Sequence, residues 1–181
     1  WGYTGVLSLG HGVFFGLGAY AMGMHLMLEI GTLSVYQNVL PDFMVWNQVK
    51  ELPLFWKPFY SFPVAVIGAI LVPMLFALVF GFFAFRSRIK GVYFAIITQA
   101  LALAAWLVFN RNDTYLGGTN GLTDFKQVLG YRLSEPGTQR ALYVLTVLCL
   151  GGAYLLCRWI IRTRAGRVLV AVRDSEQRVT F

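Results

Sequence analysis

Four stretches of this chain, at about residues 5–28, 62–85, 91–109 and 141–161, are long, apolar and almost free of charge. A helix crossing the hydrocarbon core of a bilayer needs about 20 mainly apolar residues, each rising about 1.5 Å. Each stretch meets that requirement, so each predicts a spanning helix. The first holds His11 and His25 but no fixed charge. The second is uncharged and carries one internal proline, Pro73, which predicts a kink. The third places Thr98 and Gln99 near its middle, and the fourth is interrupted only by Arg158 near its end. The expected fold is an all-α integral membrane protein, a polytopic helical bundle with four spanning helices in one transmembrane domain.

Composition agrees with lipid as the solvent. Of the 181 residues, 57% are hydrophobic and only 13% charged, against about 25% charged in a soluble domain. The net charge of +7 does not point to nucleic acid, because the basic residues flank apolar runs instead of forming a soluble, aromatic-interleaved face. Cys149 and Cys157 fall within one apolar run, so neither a disulfide framework nor a metal site is expected. The chain opens on Trp1, with no basic leader segment or small-residue cleavage site before the apolar run. It therefore reads as a fragment, truncated at both ends.

The Lys and Arg residues are unevenly spread. More than half of the 15 sit in two places. Arg86, Arg88 and Lys90 occupy the short turn 86–90, and Arg158, Arg162, Arg164, Arg167, Arg173 and Arg178 occupy the C-terminal end. The long connections 29–61 and 110–140 share Lys50, Lys57, Arg111, Lys126, Arg132 and Arg140. The positive-inside rule then predicts that segments 86–90 and 162–181 are cytoplasmic and that both long connections are extracytoplasmic. Trp46, Trp56 and Tyr60 suit either an aromatic belt at headgroup depth or the packing of a short loop helix.

The first span is rich in small residues at helical spacing: Gly5, Ser8, Gly12, Gly16, Ala19 and Gly23. Such a stripe lets another helix approach closely, with Gly12 and Gly16 as a GxxxG pair and Gly23 extending it. The other reading is a broken helix lining a solute path. Ser8 and His11 lie one turn apart, but no G-x-S-x-G, oxyanion hole or third orienting group accompanies them, so no catalytic residue is assigned. His11 suits a packed histidine or a polar group on a permeation path, and His25 suits a solvated interfacial position. The neutral Gln99 amide, with Thr98, suits either a small uncharged solute or interhelical bonding. The run Leu116-Gly117-Gly118-Thr119-Asn120-Gly121-Leu122 lacks the Lys-Ser/Thr ending of a phosphate loop and predicts a tight outer turn near the pathway mouth. The tail from Arg162 mixes basic and apolar residues, which suits anionic lipid or a groove on a cytoplasmic partner.

Four motifs, in order, carry a family resemblance. The run Ser8-Leu9-Gly10-His11-Gly12-Val13-Phe14-Phe15-Gly16-Leu17-Gly18-Ala19-Tyr20 resembles the signature span of inner-membrane permeases of branched-chain amino-acid type ABC importers. The stretches Lys90 to Thr98, Gly117 to Leu122 and Gly166 to Glu176 agree with the same family, so the resemblance covers nearly the whole chain. Asn120 in its turn and the tail Ser175 to Phe181 look more like the urea-transporting branch than the leucine, isoleucine and valine branch.

This resemblance implies a non-catalytic, multi-pass subunit of the bacterial inner membrane, paired with a second permease subunit as a heterodimer. It implies two cytoplasmic ATPase subunits that hold the ATP and Mg, and a periplasmic substrate-binding protein that largely sets selectivity. No cofactor is expected on this chain, and no nucleic acid. The candidate solute path, read from the polar residues themselves, includes Ser8, His11, Thr98, Gln99 and Asn120. The implied ATPase-coupling segment includes Arg167, Arg173, Asp174 and Glu176, with Val179 where the family's Glu-x-x-Ala motif has Ala. Urea or short amides are the expected cargo. A branched-chain amino-acid importer is the alternative, and an autonomous urea or amide channel is the alternative of another class.

Overall fold

The computed structural model describes residues 3, 5–87 and 91–174. Four helices in it are long and apolar enough to cross a membrane: α1 (His11–Ile30), α3 (Phe62–Arg86), α4 (Val92–Phe109) and α5 (Pro136–Arg162). A short α2 (Asp42–Trp46) lies in the first long connection, a two-stranded hairpin, β1 (Gln127–Val128) and β2 (Tyr131–Arg132), lies in the second, and α6 (Arg164–Asp174) follows α5. Local chemistry explains several boundaries. Proline stands in the first turn of both α3 and α5, where its missing N–H costs nothing. Gly31 and Gly91, both at positive φ, end α1 and precede α4. At 27 residues, α5 extends about 40 Å, longer than the hydrocarbon core.

The contacts set the direction of the helices. Phe14 meets Phe76 at 6.0 Å between ring centroids and Ala21 lies against Gly68, so α1 and α3 are antiparallel. Leu9 reaches Thr98 and Tyr20 meets Phe109 at 4.4 Å, so α1 and α4 run parallel. At the far end of α1 the two long connections join, because the Trp56 indole N–H donates to the Tyr115 carbonyl at 3.2 Å. At the opposite end Tyr3 lies beside Tyr154, Arg158 and Arg162 of α5. The molecule thus has a loop end and an arginine end.

Two kinds of packing hold it together. At the loop end a compact apolar core forms from Met24, Met27, Leu28 and Ile30 of α1 with Met44 and Trp56, flanked by residues such as Phe43, Phe59, Leu122 and Phe125. Trp56 and Met44 are fully buried. Trp56 is therefore a core residue, while Trp46 and Tyr60 are exposed. Along the helices, close approach takes over. Pro73 supplies no N–H to the Ala69 carbonyl one turn earlier, yet α3 continues through it. The freed oxygen lies where a Cβ on Gly18 would sit 2.8 Å away. Only a glycine allows α1 to cover that carbonyl so closely. By contrast α5 has no buried residue.

The expected small-residue stripe meets the rest of this chain at only some of its positions. Helix α1 begins at His11, so Gly5 and Ser8 are not on it. Within this chain a Cβ at Gly12 or Gly16 would meet nothing within 4 Å, and the close approaches fall at Gly10, Gly18 and Gly23.

Candidate functional site

At the arginine end, the irregular segment before α1 is pinned to α4. The Leu9 N–H donates to the Thr98 hydroxyl at 3.0 Å, and that hydroxyl donates to the Ala95 carbonyl at 2.9 Å. A Cβ at Gly10 would lie 2.8 Å from the Thr98 carbonyl oxygen, so glycine is needed for the approach. Thr98 stands six residues beyond Val92, about 9 Å along the helix. Irregular backbone therefore runs beside α4 well inside its length, a position tolerated in lipid only against protein or a water-filled cavity. Residues 5–10 are therefore irregular backbone and not the first turns of a continuous helix from residue 5.

The polar residues expected on a path divide into two groups. Ser8, His11 and Thr98 cluster around Leu9 and Gly10. His11 donates from Nδ1 to the Ser8 carbonyl at 3.2 Å, and the Ser8 hydroxyl accepts the Gly10 N–H at 3.4 Å. The ring thus bonds the Ser8 main chain, which is not the arrangement of a nucleophile and its base. Gln99 is exposed on α4. Asn120 lies at the opposite end, more than twenty residues further along the chain. Among the coupling residues, Arg167 is exposed on α6, Arg173 and Asp174 fall in its last turn, and Glu176 lies outside the described residues, as do Arg88 and Lys90.

Asn120 belongs to a turn whose glycines are each required. Gly117, Gly118 and Gly121 have φ of 91°, 56° and 67°. A side chain on Gly117 would strike the Gly121 backbone, and one on Gly118 would strike Asn112. The turn separates two cavities. One, of about 190 Å³, lies over the loop end of α1 and is bounded by Ser34, Asp42, Trp46, Asn120, Thr123 and Asp124 among others. The other, of about 220 Å³, is bounded by Tyr20, Trp106, Phe109, Asn110, Thr119 and Asn120.

A hydrogen-bonded hub below the first cavity was not legible as such in the sequence. His25, expected to be solvated, is 6% exposed. Its Nδ1 donates to the Phe59 carbonyl at 2.8 Å, its ring packs edge-on against Phe62, and Nε2 faces Glu29 at 3.9 Å. The Glu29 carboxylate accepts the N–H groups of Leu129 and Gly130 at 3.2 and 2.7 Å, and Gln127 donates to the Glu29 carbonyl at 3.0 Å. Both hairpin-turn residues have positive φ, as a tight two-residue turn demands, and Glu29 offsets the strain at Leu129. One turn of α1 thus holds both long connections. The i, i+4 spacing of His25 and Glu29 on one helix face was the available signal.

Comparison with protein families finds a match over residues 1–181 to the family described as branched-chain amino acid transport system, permease component. No curated protein and no solved structure matches the chain.

Proposed function

The chain belongs to the family of permease components of branched-chain amino acid transport systems, and on that premise we propose that it is an ABC-importer permease subunit passing urea or short amides. In this reading the loop end is extracytoplasmic and receives solute from a separate binding protein. The arginine end is cytoplasmic, where Arg167, Arg173, Asp174 and Glu176 engage an ATPase subunit, and a second permease subunit completes the path.

The observation that carries the proposal is the irregular segment before α1, pinned to Thr98. Irregular backbone at that depth needs either protein or a polar route beside it, and the polar groups gathered there support the route. Ser8, His11 and Thr98 around it and Asn120 at the opposite mouth bear no fixed charge, and neither does Gln99, exposed on α4. An uncharged solute with both donors and acceptors can exchange hydrogen bonds with them without leaving an ion in hydrocarbon. The family description favours a second reading, with branched-chain amino acids as cargo.

The test is uptake by proteoliposomes holding the chain with its second permease subunit, ATPases and binding protein. Urea accumulation that requires ATP and resists excess leucine is the expected result. ATP-driven leucine accumulation without urea uptake would move the proposal to the second reading. Urea flux that persists with an inactive ATPase would replace the importer with a channel.

A further inference from the structure

We infer that residues 5–10 form a strap that closes the arginine end of the path, and that the Thr98 hydroxyl is the latch that holds it shut. The inference rests on the permease reading above and names what opens and closes the route proposed there. Among the described residues, one hydrogen bond ties residues 5–10 to α4, from the Leu9 N–H to the Thr98 hydroxyl at 3.0 Å. Little else anchors them. Leu7 and Leu9 are 41% and 52% exposed, and within 5–10 only Gly10 is buried. A segment with so few buried apolar contacts belongs to the part of a structure that opens at low cost.

The helix that follows the strap does not share that looseness. Along α1, Phe14 meets Phe76, Gly18 covers the Ala69 carbonyl and Ala21 lies against Gly68, and the last turns sit in the loop-end core. Freedom is confined to the strap by a glycine at each end of it. Gly5 has φ of 70°, and Gly10 stands at φ −99° and ψ 13°, in the sparsely populated bridge region. Glycine takes up such backbone rotations at the least steric cost. Opening therefore needs rotation at Gly5 and Gly10 and leaves α1 in place on α3.

The latch is suited to reversible use. A threonine hydroxyl has one proton and two lone pairs. Thr98 gives its proton to the Ala95 carbonyl at 2.9 Å and a lone pair to the Leu9 N–H. When the strap leaves, the bond to Ala95 stays, so α4 is undisturbed, and the Leu9 N–H exchanges the hydroxyl for water. One such hydrogen bond shifts an equilibrium by roughly a factor of ten, a gap that movement of a partner subunit can overcome. While the strap is shut, Thr98 is 1% exposed, so its hydroxyl meets solute only after release.

The experiment uses the full transporter in proteoliposomes and reads two quantities, amide exchange at Leu9 and the leak of preloaded radiolabelled urea or leucine without ATP. Thr98→Val keeps the branched shape and removes the hydroxyl, so exchange should quicken about tenfold and the leak should rise by a similar factor. Thr98→Ser keeps the hydroxyl and should hold both near their original values. In Gly10→Ala the new Cβ lies 2.8 Å from the Thr98 carbonyl oxygen, which lifts the strap from its own side and should reproduce the valine variant. Thr146→Val removes a hydroxyl that bonds the Leu142 carbonyl on α5 and should change neither quantity. Unchanged exchange at Leu9 in Thr98→Val overturns the latch. Faster exchange with an unchanged leak overturns the gating role, as does a serine variant that leaks like the valine one. Should Thr98→Val fail to assemble, Gly10→Ala decides by the same two readings. ATP-driven uptake by the unsubstituted transporter separates the failures: uptake with no added leak in the variants rejects the strap alone, and no uptake of either solute rejects the permease reading.

Discussion

Gly18 and Gly16 lie half a turn apart on one helix, yet the structure assigns them opposite sensitivities. A Cβ on Gly18 would lie 2.8 Å from the Ala69 carbonyl oxygen, whereas one on Gly16 would meet nothing within 4 Å. The Ala69 oxygen is backbone, fixed by α3, and cannot rotate away as a side chain would. Gly18→Ala must therefore push α1 and α3 apart by several tenths of an ångström. Overpacking of this kind costs about 1–3 kcal/mol, while replacing a helical glycine by alanine returns about 0.5–1 kcal/mol. The net expectation is a loss of about 1–2 kcal/mol at Gly18 and a gain of about 0.5–1 kcal/mol at Gly16. Unfolding of the isolated chain in mixed micelles by titrated denaturing detergent, followed by tryptophan fluorescence, measures both. Gly18→Ala as stable as Gly16→Ala would refute the close approach. The same pair has a second use in the assembled transporter. Gly16→Leu should leave the isolated chain folded but block assembly if the open face of α1 receives another subunit, and pull-down of the second permease subunit reads that directly.

Trp56→Ala should destabilise the loop-end core by about 3–5 kcal/mol, as for a fully buried aromatic, and expose the 29–61 connection to limited proteolysis. His25→Phe keeps the bulk but removes the donor to the Phe59 carbonyl, an expected cost of about 1–3 kcal/mol. A melting temperature equal to that of the original chain would count against the hub. Glu29→Gln should speed amide exchange at Leu129 and Gly130, since each N–H trades a charged acceptor for a neutral one; unchanged exchange would show that the hairpin stands without it. Gly166 lies where a Cβ would run into the carbonyls of Ile160 and Ile161, so Gly166→Ala should re-angle α6. Its predicted signature is ATP hydrolysis no longer stimulated by the loaded binding protein, with the permease still assembled.

The membrane class and the four helical stretches were legible in the chain because burial in lipid demands uninterrupted apolar length, a property of consecutive residues. The glycine turn at residues 117–121 and the concentration of arginine from residue 158 were legible for similar reasons, since backbone restriction and charge need no partner to be recognised. The start of α1 was not. Residues 5–10 are as apolar as a helix requires, and only the bond from Leu9 to Thr98, nearly ninety residues away, marks them as irregular backbone. In the same way the glycine stripe announced close packing without saying which glycines it would involve. Gly12 and Gly16 match a motif, but Gly18 meets the carbonyl that Pro73 leaves free, and that pairing exists only once α3 folds back along α1. His25 looked like an interfacial residue, and Trp56 suited either a headgroup belt or the packing of a loop helix, because a polar or amphipathic side chain near the end of a span serves either way. The long connections bury them by folding over α1. Sequence alone determined what each segment could tolerate as solvent; tertiary structure decided which of its groups would meet, because close approach and hydrogen bonding depend on distances between segments that no local pattern encodes.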